Sequence, residues 1–272
     1  MERSTVGSIL RSTQAWCAQL CEKQTLNYGI AYYSEQFAAL PQANQFREVV
    51  IDSATAFPQA LAEADEWFRS KALTCHRWAP AGGHASDELS AFLARNGFRK
   101  RVHSIMALAN WSDVERATGV RVLHARAMRA ALRATFVEAE SPDSPTQREL
   151  SADACEERLN DPQFDMFVAT VDGRPAGRCA LYQVGDIARV MDLSVLAPFA
   201  DRGVDAALVL HVLALAKRLA MRNICVQVDE LSERKPKWFE RFGFAVDGTV
   251  EEFDRVRVGI VKSEEYGTRV PC

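Results

Sequence analysis

An α/β (α+β) fold built as two related halves, residues 1–115 and 116–272, follows from three features of the sequence. Between Val190 and Ala220, alternation at Val190, Leu193 and Val195 gives way to Pro198 and Gly203 and then to a continuous apolar run from Ala206 to Leu210. That order reads as strand, tight loop, helix. Asp172-Gly173, set between two apolar runs, reads as the turn of an antiparallel pair. Finally, Phe92-Leu-Ala-Arg-Asn-Gly-Phe98 is echoed by Trp238-Phe-Glu-Arg-Phe-Gly-Phe244. Each is a helix closed by glycine, with a strand on either side.

In chain order, Ile9, Trp16 and Leu20 fall at helical spacing over residues 8–22. Strands are expected over Asn27–Ser34 and, after a loop centred on Pro41, over Phe46–Asp52. Pro58 suits the first turn of a helix reaching Ala72, with Leu61, Ala64, Phe68 and Ala72 on one face. Leu73–Ala79 reads as a strand, Asp87–Asn96 as a helix ended by Gly97, and Arg101–Ala109 as a strand. Residues 110–119 make a linker. In the second half, Val120–His124 is a strand, and Arg126–Glu140 and Arg148–Leu159 are helices separated by a proline-rich loop. Asp165–Val171 and Ala176–Gln183 form the hairpin, and Gly185-Asp186 turns the chain into the strand at Val190. Asn223–Asp229 is another strand, and Thr249–Val258 supplies a closing one.

Composition narrows the function. A net charge of −3 offers no broad basic surface, so neither nucleic acid nor anionic membrane is expected as a partner. No stretch approaches the ~20 apolar residues that span a bilayer. The seven cysteines are scattered, and none has metal-ligand spacing with another cysteine or a histidine. They read as reduced thiols of a cytoplasmic protein, with no metal.

The strand-loop-helix from Val190 to Ala220 and the echo at Trp238 resemble the two signatures of the GNAT superfamily of N-acetyltransferases. The first is Leu-x-Val-x-Pro, then Arg/Gln-x-x-Gly-x-Gly/Ala and a long helix. Leu193, Val195 and Pro198 match its strand. Gly203 falls on the first loop glycine, Val204 on the aliphatic position and Ala207-Leu208 on the usual Ala-Leu. Ala200 stands where Arg or Gln is usual, and Asp205 where the second glycine is usual; a one-step shift instead sets Arg202 on the Arg/Gln position and Asp205 on the first glycine. The second signature is Leu-Tyr-x-x-x-Gly-Phe, with Phe239 in the tyrosine position.

The resemblance implies two GNAT-like domains, each a mixed, mostly antiparallel twisted sheet flanked by helices. The N-terminal one is truncated and degenerate, because Asp52–Pro58 carries no glycine where the loop should be. It also implies acetyl-CoA as co-substrate and direct acetyl transfer to a primary amine of a small molecule or peptide. The coenzyme would lie on Leu193, Ser194, Val195, Ala200, Asp201, Arg202, Gly203, Val204 and Asp205, with Phe239 beside the thioester. Unpaired amides at a helix start, with the positive end of the helix dipole behind them, suit a diphosphate. Asp205 opposes that charge and equally suits an N-cap. Asp192, at the start of the central strand, is the first candidate base, ahead of Asp229 or Glu230 at the end of the next strand; against it, a carboxylate at Asp192 also suits a solvent-facing position or a pair with Arg178 or Arg189. Glu138, Glu140 and Asp143 fall in the loop that lines the acceptor pocket in the family. His124 and His211 read as packing residues, and Ser194 has no histidine at readable spacing. The alternative is a non-catalytic ligand-binding or protein-interaction module that keeps the fold, with Asp205 and Phe239 as marks of lost chemistry. A homodimer stays open.

Overall fold

In the computed structural model, which describes residues 5–112, 114–115, 117–141, 143–230 and 236–256, all the strands join in one eleven-stranded sheet. The first half begins with α1 (Thr5–Ala18), followed by a hairpin of β1 (Glu22–Leu26) and β2 (Gly29–Tyr33), where the sequence reads as one strand over residues 27–34. β1 is Glu-Lys-Gln-Thr-Leu with its first four residues exposed. A polar edge strand has no alternating apolar face to betray it. β3 (Gln45–Val49), α2 (Phe57–Ser70), β4 (Arg77–Pro80), α3 (Asp87–Arg95) and β5 (Phe98–Leu108) complete this half.

The second half contains β6 (Val120–His124), α4 (Arg129–Val137), α5 (Pro145–Arg158), β7 (Phe164–Val171) and β8 (Arg174–Val184). Then come β9 (Ile187–Val195), α6 (Val204–Arg218), β10 (Asn223–Asp229), α7 (Pro236–Glu240) and β11 (Phe244–Arg255). β11 starts earlier than the sequence suggests, and residues 257–258 of the expected strand lie outside the described residues. Among the described residues no helix is long and apolar enough to cross a membrane.

The strand order is β1-β2-β3-β4-β11-β5-β10-β9-β8-β7-β6. The halves therefore do not keep separate sheets. β11 of the second half lies between β4 and β5 of the first, and β5 lies between β11 and β10. Two pairs are parallel, β3 with β4 and β9 with β10; the other contacts are antiparallel.

Helices cover both faces. Phe167, Ala169, Cys179 and Leu181 meet the buried side of α6, Val204, Leu208, Val209, Val212 and Leu213. Their alternates Met166, Val168 and Ala180 pack with α4, α5 and Trp16 of α1. The period of two along each strand sends successive side chains to opposite faces. On β5, Met106 joins the α6 core and Phe98 joins the α2 core, an even number of residues apart, so α2 and α6 share a face. α2 buries Phe57, Ala60, Ala64 and Phe68, the spacing of one helical stripe.

Glu252 of β11, buried beside α1, reaches Arg47 of β3 at 3.0 Å, Arg77 of β4 at 3.0 Å and His103 of β5 at 3.4 Å. Burial pushes its carboxyl up, but the guanidiniums of Arg77 and Arg47 prevail and, with His103, hold it well below the usual carboxylate range.

Candidate active site at the parting of β9 and β10

β9 and β10 pair from Ile187 opposite Asn223 to Val190 opposite Val226, and there the pairing stops. The parting coincides with a bulge. Asp192 has φ 52°, and the β8–β9 register slips between Ala180–Met191 and Arg178–Ser194. Left-handed backbone at a non-glycine residue costs ~1–2 kcal/mol, so the neighbouring structure has to hold it. The gap is a cleft of about 230 Å³ lined by residues 190–193 and 226–229 and by Phe239.

Which backbone groups face the cleft follows from β8. Leu196 N donates to Ala176 O at 2.9 Å, and a Cβ on Gly177 would come within 2.5 Å of Ser194 O. Ser194 and Leu196 thus turn their backbone toward β8. The alternate residues Leu193 and Val195 turn theirs toward the cleft. Of the three strand positions expected to hold coenzyme, Ser194 is therefore the one whose backbone is committed elsewhere.

Beyond β9, Ala200, Asp201 and Arg202 lie in a 3-10 helix over Ala197–Arg202, and Gly203 takes φ 68° at the start of α6. Exposed Arg202 sits 3.8 Å from Asp172. Val204 is buried in the core. Asp205 Oδ1 accepts from the Ala206 amide at 2.7 Å, so the carboxylate occupies one of the amides that a helix start leaves free. A Cβ on Gly203 would come within 2.8 Å of the Ala117 methyl, which places the linker against this turn. The fit to acetyl-CoA is therefore uneven. The parted strands offer unpaired backbone to an extended arm, while the diphosphate turn shares its amides with Asp205.

A second cavity, about 350 Å³, opens under α4 and α5. Its wall includes Phe136, Ser141 and Asp143 around the α4–α5 loop, Cys155 and Arg158 of α5, and Arg178 of β8. Trp16 and Gln42 come from the first half. The two cavities share Met191 and Asp192. Of the three acidic loop residues, Asp143 reaches this wall; Glu138 and Glu140 do not line it.

Asp192 is gripped by Arg178, whose Nε and Nη2 donate to its two carboxylate oxygens at 3.1 Å each. Arg178 is itself fixed, donating from Nη1 to Thr135 O at 2.5 Å with its guanidinium 3.6 Å from the centre of the Phe136 ring. A bidentate pair of this kind orients a carboxylate and uses one lone pair on each oxygen, leaving the other able to accept. Asp229 lines the cleft and pairs with Arg101, which also binds Asp254 at 3.1 Å. Glu230 lines neither cavity; its amide donates to Val102 O at 3.1 Å.

Phe239, 5% exposed, stacks edge-on against Trp238 and Phe244 and brings no proton to the cleft. Burial pushes the Cys155 thiol up to about 12, with Asp192 adding to the rise and Arg178 and Arg158 opposing it, so it stays protonated at neutral pH. His124 pairs with Asp165 at 2.9 Å, and the His211 ring lies 4.6 Å from that of Phe167. Among the described residues no group of His, Cys, Asp and Glu could hold a metal. Sequence reasoning missed Trp16, Gln42 and Arg158. Arg158 left one trace, a charge three residues after Cys155 on the apolar face of its helix.

Residues 125–244 match the model of the acetyltransferase (GNAT) family. No curated protein matches the chain. Among solved structures, a GCN5-related N-acetyltransferase from Kribbella flavida is similar with TM-score 0.64 and 16% identity, covering 93% of this chain and 96% of that one. A GCN5-related N-acetyltransferase from Sphaerobacter thermophilus is similar with TM-score 0.58 and 17% identity, covering 86% of this chain and 82% of that one. A functionally unknown conserved protein from Staphylococcus epidermidis reaches TM-score 0.69 at 11% identity, covering 87% of this chain and 95% of its own. At such identities the similarity is one of fold. The second half, which carries the cleft, has the GNAT acetyltransferase fold.

Proposed function

We propose that this protein, in which residues 125–244 carry the GNAT acetyltransferase pattern, transfers an acetyl group from acetyl-CoA to a primary amine of a small molecule or peptide. The observation that carries this reading is the meeting of the β9–β10 cleft and the α4–α5 cavity at Met191 and Asp192. A two-substrate transfer needs two pockets with one shared wall where the reacting atoms meet.

Acetyl-CoA would supply an activated acyl thioester in the cleft. The Leu193 and Val195 amides hold its arm and donate to the oxygen that gains charge, and rigid strand amides do so without reorganising. Asp192, oriented by Arg178, receives a hydrogen bond from the incoming ammonium group, and water carries the proton away. Asp229, tied to Arg101, closes the far side of the cleft. Phe239 leaves the departing thiolate to take its proton from water, a loss of general acid help worth ~10²-fold or more. Cys155, held protonated by burial, offers no ready thiolate for an acyl-enzyme, which favours direct attack by the amine. Residues 1–115 we read as a degenerate copy of the same unit in a cytoplasmic protein, and Trp16 and Gln42 are its contribution to the acceptor wall.

The binding-module reading has its own support in the Asp205 carboxylate on the Ala206 amide and in Ala117 beside Gly203. Calorimetry with acetyl-CoA and a free-thiol assay over a panel of amines separate the two. Binding with turnover is the expected result. Binding without turnover on any amine favours the module, and no heat at millimolar coenzyme removes acetyl-CoA from the account.

A further inference from the structure

We infer that the α4–α5 cavity takes an amine that also carries a carboxylate, and that Arg158 receives the carboxylate. The amine end rests on the transferase reading; the anionic end stands on Arg158 itself.

Arg158 lies at the end of α5, lines the cavity and is only 5% exposed. Its guanidinium carbon lies 3.6 Å from the centre of the Trp16 ring, and among the described residues its one hydrogen bond is a long one of 3.5 Å from Nη2 to Trp16 O. Among the described residues, Nε is buried with no partner and no carboxylate pairs with this side chain. A buried arginine is ordinarily paired, because an uncompensated charge away from water is costly. Burial lowers its pKa to about 10, so it still carries its charge at neutral pH.

The other charges of the cavity do not answer it. Asp192 is held on both oxygens by Arg178, and Asp143 accepts from the Ser141 hydroxyl at 2.9 Å. Arg148, whose Nε is likewise buried without a partner, donates from Nη1 to the Asp143 carbonyl at 3.1 Å. Three arginines therefore face two aspartates, a surplus of one positive charge that an amino carboxylate balances once its amine has lost the proton it must lose to react. A planar guanidinium braced on one face by an aromatic ring presents its edge, and that edge fits the planar fork of a carboxylate. The same cavity ends at Asp192, where it meets the cleft. An amino acid or the end of a short peptide, with its amine toward Asp192 and its carboxylate on Arg158, satisfies both ends.

The test titrates the full-length protein with glycine, β-alanine, 4-aminobutyrate, L-leucine and L-phenylalanine by calorimetry, each beside its carboxamide. At least one carboxylate is expected to bind ten times more tightly than its carboxamide. Arg158→Met should erase that preference without lowering the melting temperature, since a merely structural arginine would be missed on heating. Arg158→Lys, which keeps the charge but not the planar fork, should retain a reduced preference and stands in should the methionine variant fail to fold. Equal binding of every carboxylate and its carboxamide by the wild type, or a preference that survives in Arg158→Met, overturns the inference. A parallel acetyl-CoA titration keeps the two ideas apart. Coenzyme binding with no carboxylate preference sinks the inference alone; a carboxylate preference with no coenzyme binding sinks the transferase reading and leaves the Arg158 site.

Discussion

The parallel pair β3–β4 in the first half and the parallel pair β9–β10 in the second start alike. Each carries an acidic residue with positive φ on its leading strand, Glu48 at 55° and Asp192 at 52°. Past the bulge they diverge. β3 and β4 stay joined, with Val49 opposite Pro80 and Ala81 N donating to Val49 O at 3.1 Å. β9 and β10 part after Val190 and Val226. Three differences accompany the closure. Leu93, which answers to Phe239 in the echo, is buried with Phe46 and Trp78 instead of lining a cleft. Glu252 ties Arg47 on one strand to Arg77 on the other. Glu48 accepts from the Tyr32 hydroxyl at 3.0 Å instead of pairing with an arginine. A bulge alone does not make a site; the strands beyond it must also be left untied.

The largest expected effect lies in that tie. Glu252→Gln leaves buried Arg47 without a carboxylate among the described residues, while Arg77 keeps Asp254 at 2.6 Å, and should cost ~3 kcal/mol in urea denaturation. Because the folded carboxyl titrates well below its ordinary value, its stabilising effect is complete above the ordinary carboxylate range and is lost as pH falls through the depressed value. The glutamine variant should lose that part of the acid dependence. A variant as stable as the parent would show that something else holds β3 to β4.

Next comes the glycine of the echo. Gly97 has φ 81° and open space where a Cβ would go, whereas Gly243 has φ 89° and Asn110 O 1.8 Å from that position. Gly97→Ala should cost ~1–2 kcal/mol of left-handed strain, and Gly243→Ala should cost more, because the linker backbone has to move as well. Equal melting temperatures for the two variants would break the contrast. On activity instead of stability, Phe239→Tyr restores a proton donor beside the cleft and should raise turnover in the free-thiol assay by ~10²-fold; Leu93→Tyr, in the closed half, should change only stability. Asp205→Asn keeps an acceptor for the Ala206 amide but removes a like charge, and should tighten coenzyme binding about tenfold by calorimetry. Weakened binding would mean that the charge on the cap outweighs the repulsion.

What could be read in advance was whatever is written locally. β6 and β10 run over the residues their alternation marks, the Asp172-Gly173 turn has φ of 51° and 76° as a tight hairpin requires, and α2 buries Ala64 and Phe68 as its spacing announces, although Phe57 and Ala60 complete the stripe instead of Leu61 and Ala72. Gly203 and Phe239 were visible for the same reason. The interleaving of β5 and β11 was not, since strand pairing across more than a hundred residues leaves no periodicity in either strand. Arg178 was one of two arginines the sequence offers as a partner for Asp192, and it is the one that holds it, whereas nothing in the sequence pointed Asp229 to Arg101. Trp16 escaped because its neighbours explain it as helix packing; only the tertiary fold brings it to Arg158.

The exchange of central strands bears on how the chain acquires its shape. During synthesis β4 and β5 emerge long before β11, the strand that belongs between them, and until then both have open edges within reach of any other extended segment. The first half thus stays without its keystone until β11 has been made, and its completion and that of the second half become one late event. Pieces cut within the connecting segment should accordingly remain unfolded apart and regain structure on mixing.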